Sequence, residues 1–168
     1  LRDKMKKLIV LIIALFTFFG CGEDESSSTN FKEFSPNEEV KLIDVSGKEL
    51  TLVRKDHGFA IKNYENKVLM IDIFGTFCPP CQKEAAELTK YQLENKDKFT
   101  LIGLTHFENV TNEYVLHEFM QKFNAYYFII NDQKINDRLA EQIVRDIEYK
   151  HEIALPFKVV IKNGEYQI

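Results

Sequence analysis

The stretch "KVLMIDIFGTFCPPCQKE", Lys67 to Glu84, decides how the chain folds. "KVLMIDIF", Lys67 to Phe74, is a short, largely apolar segment between the turn-like Tyr64-Glu65-Asn66 and Gly75, the pattern of a buried central strand. From Pro79 to about Asn95 the spacing of Ala85, Leu88 and Tyr91, with Lys and Glu between, predicts an amphipathic helix, and proline suits its first turn. Cys78 and Cys81 stand at the junction of strand and helix.

That position makes the two thiols reactive. A thiol attacks only as thiolate, and the free N–H groups and partial positive charge of a helix N-terminus favour the anion. With Cys78 as N-cap, Cys81 lies one turn in, its N–H directed back at the first sulfur and its own sulfur placed to close a small disulfide ring. Neither Pro79 nor Pro80 has an N–H to donate, so the Cys78 thiolate loses possible support and the pair is expected nearer the reducing end of the dithiol scale. Two other readings compete. A zinc site needs four ligands, yet no second CxxC and no closely spaced pair exists among His57, His106, His117 and His151. An inert staple closing so short a loop would constrain the unfolded chain little.

Working outward, "VKLIDVSGKELTLV", Val40 to Val53, alternates about Ser46-Gly47 and predicts a β-hairpin. "FTLIGLTH", Phe99 to His106, and "AYYFII", Ala125 to Ile130, read as strands. Val115, Leu116, Phe119, Met120 and Phe123 form one helical stripe, and Ile135, Leu139, Ile143 and Ile147 another; both read as core. The chain closes with a strand from Phe157 to Lys162, a turn at Asn163-Gly164 and the start of a further strand. Strands alternating with helices predict an α/β sandwich around a mixed sheet, with an N-terminal hairpin.

The first residues differ in character. Lys4, Lys6 and Lys7 precede an apolar run from Leu8 to Phe19, too short for an ordinary membrane span but shaped like an export signal. "FFGC", Phe18 to Cys21, resembles the lipobox of bacterial lipoproteins, although Phe18 stands where an aliphatic residue is usual. This resemblance implies a signal peptide at 1–20, lipid on Cys21 and a membrane anchor. Gly22 to Asn37 is polar, acidic and serine-rich, so 21–37 is expected to be a flexible tether. Of three cysteines, lipidation would consume Cys21 and leave Cys78 and Cys81 as the only thiols. Removing residues 1–20 takes the net charge from −4 to −7, which argues against nucleic acid as a partner.

"IDIFGTFCPPCQKE", Ile71 to Glu84, resembles the active-site segment of the thioredoxin superfamily. Its CPPC form, with Glu84 three residues after the second cysteine, is similar to TlpA-like (TlpA/ResA-type) periplasmic thiol-disulfide reductases. "LPFKVVIKNGE", Leu155 to Glu165, resembles the segment in which a cis-proline faces the cysteines. The resemblance implies a thioredoxin-like domain at 38–168 that stops before the last family helix. It implies Cys78 as attacking thiol, Cys81 as resolving thiol, and Asp72 as a buried acid exchanging a proton with Cys81. Phe77, standing where tryptophan is common, joins Pro79, Pro80, Leu155 and Pro156 as expected substrate contacts. Ala86 replaces a helix-kinking proline. The implied activity is reduction of disulfides in exported proteins at a periplasm-facing membrane, apocytochrome c among them, with electrons from a membrane donor of the DsbD or CcdA kind. No cofactor is implied beyond the cysteine pair, and no metal. The alternatives are a disulfide oxidase or isomerase on the same fold, a copper- or zinc-binding chaperone using the cysteines and a histidine such as His106, and a non-catalytic binding lipoprotein.

Overall fold

A computed structural model describes residues 31–167. The signal peptide expected at 1–20, Cys21 and the tether up to residue 30 lie outside the described residues.

The expected hairpin forms from β1 (Glu39–Ile43) and β2 (Glu49–Lys55). Asp44 closes its turn, accepting at Oδ1 from Ser46 N at 2.9 Å, Ser46 Oγ at 2.7 Å and Lys48 N at 2.8 Å, while Gly47 takes a φ of 86° that a side chain would resist. A strand the sequence reading did not identify follows: β3 (Gly58–Ile61) pairs antiparallel with β2. Its four residues show no alternation because all are buried. Gly58 is required there, since a Cβ would sit 2.7 Å from Gly164 O.

The second sheet runs in the order β6-β5-β4-β7-β8. β4 (Val68–Phe74), β5 (Phe99–Thr105) and β6 (Phe128–Ile130) are parallel, while β7 (Phe157–Lys162) and β8 (Glu165–Tyr166) complete it antiparallel. Helix α1 (Pro79–Glu94) follows β4, and α2 (Asn112–Tyr114), capped by Thr111, runs on as a π-helical segment, Val115–Gln121. Helix α3 (Gln133–Asp146) is capped by Asp132, whose Oδ1 accepts from Ile135 N at 3.0 Å. Leu69, Ile71 and Ile73 of β4 join a core with Leu139 and Ile143 of α3 and with Leu42, Leu52 and Phe59. Phe74 joins a second core with Cys81, Ala85, Val115 and Phe119. The alternation of β4 therefore turns Asp72 toward the layer that holds α1.

Three expectations change. Within residues 31–37, read as the end of a flexible tether, Phe34 is anchored: it is 3 % exposed, its ring lies edge-on to Phe59 at 5.4 Å, and its N–H donates to Gln142 Oε1 at 3.0 Å, while most of its neighbours are exposed. One buried aromatic is enough to anchor the segment, and a single residue has no period to betray it. "AYYFII" is strand only from Phe128, because Thr89 Oγ1 on α1 accepts from Tyr126 N at 2.8 Å and donates to Asn124 O at 2.6 Å, drawing that backbone away from the sheet. The stripe from Val115 is π-helical where an ordinary helix was read; its apolar spacing fits either, and nothing in these residues explains the wider turn.

A buried ion pair ties the two sheets to α3. Arg54 of β2 holds both oxygens of Asp146, with NH2 at 2.8 Å from Oδ1, and Gln142 Nε2 at 2.8 Å and Tyr166 OH at 3.0 Å donate to the same carboxylate. Among the described residues no helix is long and apolar enough to cross a membrane.

Candidate active site

β4 ends at Phe74, and the connection to α1 is held from both sides. Cys78 N donates to Gly75 O at 3.1 Å and Gln82 Nε2 to Thr76 O at 2.7 Å. Across the sheet end, Glu108 accepts from Thr76 N at 2.8 Å and from Thr76 Oγ1. Cys78 then caps α1 in extended conformation, with Pro79 and Pro80 at the first two helical positions. Cys81 N donates to Cys78 Sγ at 3.4 Å, and the two cysteines are bonded as a disulfide with Cα atoms 5.3 Å apart. Neither proline supplies an N–H, so the Cys81 N–H is the donor that reaches the sulfur.

Both cysteines are buried, whereas Phe77 beside them is 57 % exposed and Pro79 and Pro80 face solvent. Phe107, which follows β5, is 63 % exposed. The Leu155–Pro156 peptide is cis. Phe157 pairs with Ile73, so the register carries Leu155 and Pro156 alongside the connection that holds Cys78, and Leu155 packs against the cluster that contains both cysteines.

Asp72 is 1 % exposed. Burial pushes its carboxyl up to about 6; Lys158 opposes the rise and Glu84 adds to it. Lys158 is directly opposite Asp72 in the β4–β7 register, and its Nζ lies 3.1 Å from Asp72 Oδ1, an ion-pair separation without hydrogen-bond alignment. The same ammonium donates to Glu84 Oε1 on α1, one turn beyond Cys81. Burial also raises the Tyr127 hydroxyl, with the negative charges of Asp72 and Glu84 adding to the effect.

The expected site residues Asp72, Phe77, Cys78, Pro79, Pro80, Cys81, Leu155 and Pro156 are thus brought to one end of the sheet. Two residues escaped the sequence reading. Lys158 carries a weak signal, a cation inside the apolar strand "PFKVVI"; Glu108 carries none, because its partner Thr76 lies 32 residues away. His106 stands apart from the pair: its Nδ1 is 3.2 Å from Asp137 Oδ1, and burial lowers its basicity although Asp137 opposes this. His117 is exposed beside Gln121. Among the described residues no three His, Cys, Asp or Glu side chains gather as a metal-holding group.

A family model described as Redoxin matches residues 29–164. No curated protein matches significantly. Among solved structures, the thioredoxin domain of a thiol-disulfide oxidoreductase from Bacteroides vulgatus is similar at 17% identity, with 80% of this chain and 85% of that chain covered and a TM-score of 0.53. A thioredoxin-family thiol:disulfide interchange protein from Chlorobium tepidum gives 18% identity, coverage of 80% and 83%, and a TM-score of 0.55. A secreted disulfide oxidoreductase from Mycobacterium tuberculosis, homologous to DsbE of E. coli, gives 16% identity, 76% and 80% coverage, and a TM-score of 0.50. These likenesses establish a thioredoxin-like fold.

Proposed function

Since the chain belongs to the Redoxin family and has the fold of thiol-disulfide oxidoreductases, we propose that it is a reductase of disulfides in exported proteins, facing the periplasm and anchored to a membrane by lipid on Cys21. The observation that carries the reading is the Cys78–Cys81 disulfide at the start of α1, with exposed Phe77 beside it and cis Pro156 alongside. In the reduced protein Cys78 attacks a substrate disulfide and releases one substrate thiol. Cys81 then attacks Cys78 Sγ in the mixed disulfide, releasing the second substrate thiol and restoring the internal bond. Leu155 offers backbone for an extended substrate segment to pair with.

The reducing direction rests on the two prolines, which leave the Cys78 thiolate with few N–H donors and so make the reduced form less stable. Export rests on the apolar N-terminal run and on the secreted relative; apocytochrome c and a DsbD- or CcdA-type donor rest on the resemblance in the CPPC segment. The test is the Cys78–Cys81 reduction potential of the chain from residue 21 carrying Cys21→Ser, measured by equilibration in dithiothreitol buffers with mass-spectrometric thiol trapping. A potential near roughly −270 mV supports a reductase, and one near roughly −120 mV makes the protein an oxidant. Cys81→Ser should accumulate mixed disulfides with exported proteins; their absence, with Cys78 demonstrably free, would count against thiol exchange altogether.

A further inference from the structure

The end of the central sheet opposite the cysteines carries exposed side chains of its own. β4 and β5 are parallel, so the connections that precede them, 62–67 and 95–98, lie together at that end. Hydrogen bonds join the two: Lys67 Nζ donates to Lys96 O at 2.8 Å, and Val68 N to Lys98 O at 2.9 Å. Tyr64, with Lys67 Nζ 4.9 Å from its ring centre, and Tyr91 and Leu93 in the last turn of α1 are each more than half exposed. The charges at this end lean positive. Lys62 is paired with Glu39 and Lys90 faces Glu94, which leaves Lys67, Lys96 and Lys98 against Glu65 and Asp97, in a chain whose net charge is −4.

The path of the N-terminal segment leads to the same end. Arg138 of α3 stacks on Phe34 with its guanidinium 3.5 Å from the ring centre, donates to Lys32 O at 2.7 Å and Glu33 O at 3.1 Å, and pairs with Glu38 at 2.8 Å. Two turns further on, Arg145 lies 4.5 Å from the ring centre of Phe31. α3 starts after the end of β6, on the cysteine side, and its 14 residues span about 21 Å, so Arg145 and Phe31 lie toward the far end. Ten residues, 21–30, separate Phe31 from Cys21. A coil of that length has an r.m.s. reach of roughly 16–19 Å.

We propose that this far end docks on the lipid surface that holds Cys21, with Tyr64, Tyr91 and Leu93 entering the headgroup layer, Lys67, Lys96 and Lys98 meeting anionic headgroups, and the cysteines facing away from the bilayer. The inference rests on the lipid-anchor reading of Cys21. Tyrosine suits a boundary with one apolar and one wet side, and lysine lays its stem along apolar surface while its ammonium reaches phosphate. The short tether keeps the local concentration of lipid high, so a few weak contacts suffice and the docking stays reversible. An unfolded exported chain then meets Phe77 and Cys78 from the aqueous side.

The test uses the chain from residue 21, oxidised so that Cys21 is its one free thiol. Cys21 is joined to a maleimide-headgroup lipid in vesicles of phosphatidylcholine and phosphatidylglycerol, and lysines are labelled with a water-soluble amine reagent and read by mass spectrometry. Lys83, exposed two residues beyond Cys81, is the internal reference. Compared with the Cys21→Ser chain free in solution, labelling of Lys96 and Lys98 is expected to fall several-fold while that of Lys83 holds. An equal fall at Lys83, or none at Lys96 and Lys98, overturns the proposal. Tyr64→Ser combined with Leu93→Ser, both at exposed positions, is expected to restore the labelling. Protection that persists in that variant comes from the tether alone and overturns the proposal equally. The anchor is tested separately, by mass spectrometry of Cys21 in the full chain expressed in a bacterium. An unmodified Cys21 refutes the lipoprotein reading, whereas evenly labelled lysines on vesicles refute only the docking.

Discussion

Replacing Asp72 with Asn should stabilise the oxidised protein, and more so as pH rises. The folded carboxyl titrates at about 6 against an ordinary 3.8, so the folded state binds this proton more tightly than the unfolded state does. The stability from that proton is fully present below the unfolded value, is lost as pH rises through the window from about 4 to about 6, and stays lost above it. Two units at 1.36 kcal/mol each amount to about 3 kcal/mol. Asn mimics the neutral carboxyl and leaves Lys158 its bond to Glu84. The variant should therefore gain about 3 kcal/mol at pH 7.5 and only about 1 kcal/mol at pH 4.5. In a domain of this size the larger figure raises Tm by roughly 10 °C. Urea denaturation of both proteins at the two pH values measures it. A gain equal at both pH values, or none at pH 7.5, would refute the account of Asp72 as a buried carboxyl ionised against its surroundings. The same variant should resolve mixed disulfides slowly, stability and activity moving in opposite senses.

Phe34→Ala should cost about 3–5 kcal/mol in urea denaturation, the magnitude of an emptied aromatic site in a core, where a flexible tether residue would cost nothing measurable. Asp146→Ala should cost about 3–5 kcal/mol, because it strands the buried Arg54 guanidinium and takes the acceptor from Tyr166 and Gln142; thermal denaturation that shows a surface-like loss would refute the buried network.

The elements that carry chemistry were legible because their signals are local. The apolar run of β4, the two cysteines and the prolines of α1 lie within the 14 residues from Val68 to Cys81, and their order alone places a thiol pair at a helix start. The turns at Asp44–Lys48 and Asn163-Gly164 were legible for the same reason: a side chain caps its own loop, or a residue takes positive φ. β3 was not, since a fully buried four-residue strand has no alternation, and the glycine it needs is explained only by Gly164 more than a hundred residues away. Phe34 was hidden inside a polar composition.

The sequence by itself determined the strand–CPPC–helix unit, with one cysteine at the helix start and the other one turn in, because backbone geometry and helix polarity act over a few residues. Tertiary structure alone decided what surrounds that unit. The β4–β7 register sets Lys158 opposite Asp72, the packing of α1 brings Glu84 to the same ammonium, and the end of β5 lets Glu108 hold Thr76. Electrostatic partners are chosen by proximity in space, and burial, which sets the strength of each charge, exists only once the layers have closed.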